Sequence, residues 1–188
     1  MGGLRSDAEQ NRVRILEVAR EALAVSGDAT LKSIATKAGV GQGTLYRHFP
    51  TREALVLAVY RQDVSELVDA APALLAEHEP WEALWLWLER LGAFGRIKHG
   101  VAGVLQAATR ADLAGEHYGP VVEAIERLLG ACKGAGLMRQ DVAAGELLLL
   151  VSFLWRGDRE PGWEDRSRHL LEIVMDGLRP PRVPSSRP

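Results

Sequence analysis

The 188-residue chain is 47% hydrophobic and 26% charged, which excludes a predominantly disordered polypeptide and suits one or two compact units. Its formal charge of −2 is uneven: residues 1–52 hold eight Arg or Lys against five Asp or Glu, a surplus of +3 that leaves −5 elsewhere. That asymmetry suggests a nucleic-acid face on the first module, while the single cysteine, Cys132, excludes an internal disulfide and a cysteine-based zinc site.

Helical periodicity dominates the chain and no strand-like alternation persists. A first helix is expected from Ser6, capped by its hydroxyl with Glu9 reaching back, and carrying an inward stripe of Ile15, Ala19, Ala22 and Leu23. Ser26-Gly27-Asp28 ends it. Thr30 caps a short helix with Leu31, Ile34, Ala35 and Ala38; Gly39 breaks it, and another short helix runs to about Phe49. Thr51 caps a long fourth helix, from Arg52 to about Ala71, with Pro72 as a bend or end.

Pro80 opens a helix containing Trp81, Leu84, Trp85, Leu88, Leu91 and Phe94, with Trp81, Trp85 and Leu88 lining one face and Trp87 pointing elsewhere. A further helix is expected over about 100–111. Pro120 opens the next, with Val121, Ile125, Leu128, Leu129 and Cys132 on one face. Asp141 is expected to cap an apolar helix reaching about Trp155, and after a polar loop a last helix spans Trp163 to Leu178. The Pro-rich tail, 180–188, has no means of folding alone. No apolar run approaches the roughly 18 residues of a membrane span, and Met1 to Arg14 is polar, so a cytoplasmic protein is expected.

The segment that carries function is Thr30-Leu-Lys-Ser-Ile-Ala-Thr-Lys-Ala-Gly-Val-Gly-Gln-Gly-Thr-Leu-Tyr-Arg-His-Phe-Pro-Thr-Arg-Glu-Ala-Leu55. Two short helices joined at a glycine make a helix-turn-helix. Ala35 permits a close crossing, and Ile34, Val40, Leu45 and Phe49 form a small core. Gln42, Gly43, Thr44, Tyr46, Arg47 and His48 are left facing outward to varying degrees. Amide, hydroxyl, phenol and cation can bond bases or phosphates, and glycine lets DNA come close.

This pattern closely resembles the TetR family of bacterial regulators: Ile-Ala, Ala-Gly-Val at the turn, Gly-Thr-Leu-Tyr-x-His-Phe, then Arg-Glu-x-Leu entering the fourth helix. The likeness is specific over about residues 10–60 and architectural beyond. Gly41 departs from it, standing where serine is frequent, and Arg52 replaces a frequent lysine. The resemblance implies an all-α homodimer: a DNA-binding domain over 1–52, a helical effector and dimerisation domain over 53–179, and a disordered tail. It places Gly43, Thr44, Tyr46 and His48 on phosphates and leaves Gln42 and Arg47 at variable positions suited to base reading. Arg52 and Thr30 would meet further phosphates. It implies a ligand-responsive repressor of a palindromic operator, with an apolar or aromatic effector held among Trp81, Trp85, Phe94, Leu105, His117 and Tyr118. The alternative is a helical sensor or interaction protein whose helix-turn-helix is structural or grips a protein partner.

The last two long helices carry the expected dimer seam: Leu147, Leu150, Val151 and Leu154 on one, Leu170, Leu171, Val174 and Leu178 on the other. Burial within a single chain is the competing account. Gly39-Val-Gly-Gln-Gly43 follows a helix and not a strand, so it is not read as a nucleotide loop. No nucleophile motif suggests an enzyme. His48, His78, His99, His117 and His169 are read as having no i, i+4 pairing with a carboxylate partner, so no metal or other cofactor is expected.

Overall fold

The computed structural model describes residues 3–25, 29–100, 118–155 and 162–180, with helices and no strand among them. The helices are α1 (Gly3–Val25), α2 (Leu31–Lys37), α3 (Gln42–His48), α4 (Arg52–Glu77), α5 (Pro80–Gly100), α6 (Tyr118–Gly134), α7 (Ala144–Leu150) and α8 (Trp163–Leu178), with a 3-10 turn over Ser152–Trp155 before α8. The described residues are all-α, as the periodicity predicts. Two compact units divide it, the cuts falling between Ser65 and Glu66 within α4 and between Ala93 and Phe94 within α5. The first cut lies well inside α4 and not at its start. One reason is Asp63, whose carboxylate is 6% exposed and pairs with Arg20 of α1.

In the first unit α1 buries Ile15, Leu16, Ala19, Ala22 and Leu23. It begins at Gly3, so Ser6 falls inside the helix and not at its cap. A cap is worth only about 1 kcal/mol, and Leu4 and Arg5 are good enough helix formers to continue past it. Helices α1, α2 and α3 pack on one another. Thr30 holds extended geometry and its hydroxyl accepts the Ser33 N–H at 3.2 Å. Gly39 supplies the turn at φ +65°, a conformation in which an L side chain is strained. Thr51 caps α4 by accepting the Ala54 N–H at 3.1 Å.

In the second unit the periodicity holds, but several local expectations fail. Helix α4 runs through Pro72 to Glu77. Pro72 has no N–H for the Val68 carbonyl, yet Ala70, Ala71 and Leu74 around it are all buried, and their packing holds the helix together. At the preceding carbonyl, Leu67, the Trp87 indole N–H donates at 2.8 Å. Trp87 is therefore a core residue with no exposed surface, and the buried stripe of α5 is Ala83, Leu84, Trp87, Leu88 and Leu91.

Asp141 does not cap a helix. Its carboxylate accepts two hydrogen bonds from Arg139, at 2.6 and 2.7 Å. The start of α7 is closed instead by Glu146, whose carboxylate accepts the Ala143 N–H at 2.8 Å. Nor does α7 reach Trp155: the 3-10 turn takes over, putting Val151 and Leu154, three residues apart, both in the core. Pro120 lies in the first turn of α6, two residues after its start at Tyr118. Gly162, at φ +86°, leads into α8, which buries Ser167, Leu171, Met175 and Leu178. The expected helix near 100–111, the loop before Gly162 and the tail beyond Pro180 lie outside the described residues.

Candidate nucleic-acid interface

Helix α3 is seven residues long and is positioned from beneath. Leu45 at its centre has no exposed surface and Phe49 at its end is 3% exposed. With that edge pinned, Gln42, Gly43, Tyr46 and Arg47 stand exposed, while Thr44 and His48 are half-buried. Tyr46 keeps 48% of its surface in water, unusual for a large ring. The Arg47 Nε donates back to the Gly43 carbonyl at 3.3 Å, folding the side chain along its own helix. Gly41, before the helix, offers no side-chain cap.

Gly43 is informative. A Cβ there would meet nothing within 4 Å, so no internal crowding requires glycine. Glycine within a helix costs roughly 0.5–1 kcal/mol relative to alanine. A partner approaching this face from outside would justify that cost.

The described basic side chains among residues 8–52 divide by direction. Arg14, Lys32, Lys37 and Arg47 are exposed, whereas Arg12, Arg20 and Arg52 are half-buried. Arg12 places its guanidinium 5.5 Å from the centre of the Phe49 ring, Arg20 pairs with Asp63, and the Arg52 Nε donates to the Ala29 carbonyl at 3.2 Å. None of the three inward roles is legible in the local pattern, since each partner is distant in sequence. Thr30 is exposed beside its cap.

Of the expected effector residues, only Trp81 and Trp85 have described side chains. Trp81 and Trp85 are half-buried, and the Arg179 guanidinium stands 4.6 Å over the Trp81 ring. Phe94 and Tyr118 are described only as backbone, within α5 and at the start of α6, and Leu105 and His117 lie outside the described residues. Trp87 could have been found in the core from its place beside Leu84, Leu88 and Leu91, three and four residues apart.

The expected seam residues separate into two groups. Leu147, Val151, Leu154, Leu171 and Leu178 are buried within the chain itself. Leu170 and Val174 are half-buried, and Leu150 is 53% exposed. Two residues not singled out from sequence are more exposed still, Leu149 at 76% and Ile173 at 54%. His78 and Glu82, at i, i+4, do approach, with Nδ1 to Oε2 at 3.4 Å. The histidines are thus not all without such a carboxylate, although one such pair is too few ligands to hold a metal.

Comparison with known proteins agrees with this architecture. Residues 15–59 match the family model described as bacterial regulatory proteins, tetR family, and residues 79–180 match that of the SbtR-like transcriptional regulator C-terminal domain. A crystal structure of a TetR transcriptional regulator from Streptomyces coelicolor is 38% identical, covering 90% of this chain and 99% of that one, with a TM-score of 0.80. A TetR transcription regulatory protein from Mycobacterium vanbaalenii is 34% identical over 94% of this chain and 99% of that one, at 0.75. The HTH-type transcriptional regulator UidR of Escherichia coli is 38% identical over 65 residues, 34% of this chain and 33% of that protein. This last likeness therefore spans about a third of the curated relative's length.

Proposed function

The chain belongs to the TetR family of bacterial transcriptional regulators, and from that premise we propose that it is a homodimeric repressor of a palindromic operator, released by a small apolar or aromatic effector. The observation that carries the DNA-binding part is the division of α3. Leu45 is held in the core while Gln42, Gly43, Tyr46 and Arg47 stay exposed. An α-helix enters the major groove, where polar side chains read base edges and the flanking contacts fall on phosphates. In this reading Tyr46, Thr44, His48 and Thr30 orient the head on the backbone, Gly43 admits it closely, and Gln42 and Arg47 read bases.

A dimer presents two such heads, and the operator mirrors its two-fold axis. The apolar surface left on α7 and α8, chiefly Leu149, Leu150 and Ile173, supports pairing through those helices, with half-buried Leu170 and Val174 beside them in sequence. An effector acts by binding one head spacing more tightly than the other, and a tenfold preference is worth about 1.4 kcal/mol. Trp81, Trp85, Phe94, Leu105, His117 and Tyr118 are proposed as its surroundings.

Selection of bound duplexes from a random pool tests this, followed by affinity measured over a range of salt. The selected sites should show dyad symmetry, and log affinity should fall linearly with log salt as counterions leave the DNA. Sites without symmetry would remove the dimeric operator. A slope near zero would favour a helix-turn-helix that serves a protein partner.

A further inference from the structure

Arg52 opens α4, and the family resemblance makes it a phosphate ligand, yet its side chain is turned into the unit. Its Nε donates to the Ala29 carbonyl at 3.2 Å, in partly buried surroundings and across 23 positions of sequence. Ala29 precedes Thr30, the cap of α2, and Arg52 is the first residue of α4. This one bond therefore joins the chain entering the helix-turn-helix to the chain leaving it. The bonds described at the Thr30 cap itself are local: the Ser33 N–H to its hydroxyl at 3.2 Å and the Ser33 hydroxyl to its carbonyl at 2.8 Å. Neither ties the start of α2 to anything beyond α2.

We propose that Arg52 is a positioning residue for DNA binding, which closes the helix-turn-helix through Ala29, and not a ligand of a DNA phosphate. The proposal rests on the reading of α3 as a DNA-binding helix. A planar guanidinium fixes the direction of its N–H as a lysine ammonium cannot, so it can hold a backbone carbonyl in register. Arg12 grips the other end of the motif, over the Phe49 ring that follows α3. Helices α2 and α3 pack together between these two grips. Neutralising phosphates is left to the outward cations Arg14, Lys32 and Lys37.

Three substitutions separate the roles. Glutamine places an amide N–H as many bonds from Cα as the arginine Nε, so Arg52→Gln keeps the donor and loses the charge. Arg52→Met keeps length and loses both. Arg52→Lys keeps the charge without the planar fork. Affinity for a duplex selected by the wild type is measured across a salt series, with fold checked by circular dichroism. Arg52→Gln should bind within about twofold of wild type with an unchanged salt slope. Arg52→Met should bind about tenfold more weakly, also with an unchanged slope. A slope reduced by about 0.9 in both, and restored in Arg52→Lys, makes Arg52 a phosphate ligand and overturns the proposal. Undiminished affinity in Arg52→Met, with only a lower melting temperature, also overturns it. Amide exchange at Ser33 and Ile34 in the DNA-free protein supplies an independent readout: faster in Arg52→Met, unaltered in Arg52→Gln. Unaltered exchange in both overturns the tether. A wild-type chain that binds no duplex overturns the DNA-binding reading and the positioning role with it, while exchange still decides whether the tether exists.

Discussion

At the scale of residues, charge alone does not say what a side chain does. Arg12 and Arg14 are two positions apart in α1, yet Arg12 covers the Phe49 ring and Arg14 faces solvent. Outward residues of α3 should divide in the same way by the partner they touch. Tyr46→Phe and Thr44→Ala are expected to weaken binding to all duplexes alike, because phosphate contacts carry no base information. Gln42→Ala or Arg47→Ala should relax preference at particular base pairs, by about 1–3 kcal/mol for a bidentate contact. Competition with single-base operator variants distinguishes these patterns. If Gln42→Ala and Arg47→Ala shift no position, α3 lies differently in the groove. Away from α3, the Arg139 guanidinium bonded to Asp141 holds that carboxyl down at about 2. A depressed carboxyl stabilises the fold above its unfolded value and loses that contribution as pH falls through about 2. Carboxyl titration by NMR should find that low midpoint, and Arg139→Ala should return Asp141 toward the ordinary range. An unmoved midpoint in Arg139→Ala would mean that another group holds it down.

At the scale of elements, the lesson of α4 and α5 is that packing overrides local signals. Pro72 is the strongest helix breaker in its segment, and the helix nevertheless continues to Glu77. The buried Trp87 indole bonded to the Leu67 carbonyl ties the two helices beside that point. Trp87→Phe should therefore cost about 1–3 kcal/mol, from leaving a buried carbonyl short of a donor. Trp87→Ala should cost about 3–5 kcal/mol by opening a cavity. Urea unfolding followed by circular dichroism measures both. A negligible loss in Trp87→Phe would mean that the bond contributes little and that ring burial alone matters. The same logic explains α7. Asp141 is a good cap by residue type, but its pairing with Arg139 takes it away, and Glu146 closes the helix from within.

At the scale of the whole molecule, the residues of a seam expected from sequence divide between the chain's own core and its surface. Leu147, Val151, Leu154, Leu171 and Leu178 are consumed by the chain's own core. Charging them would unfold the protein and say nothing about dimers. Leu150→Glu with Ile173→Glu is the cleaner test, since both side chains are more than half exposed. The double variant should keep its helicity but scatter light as a monomer, and lose high-affinity binding to a two-half-site operator. A dimer that persists would locate the seam elsewhere. Among the described residues no helix is long and apolar enough to cross a membrane.

The sequence by itself determined the helical class and the helix-turn-helix. Both rest on local chemistry: apolar spacing along each helix, Thr30 and Thr51 as caps, and Gly39 where the backbone turns left-handed. It also determined that Leu45 goes in while Gln42 and Tyr46 stay out, because a short amphipathic helix has only one face to bury. Only the tertiary structure decided which of two apolar or basic neighbours faces inward. Trp87 rather than Trp85 in the core, Leu147 buried while Leu149 is exposed, and Arg52 turned back to Ala29 each depend on a partner distant in sequence. Spacing along one helix defines a stripe, but the width of that stripe is set by the helices that come to cover it.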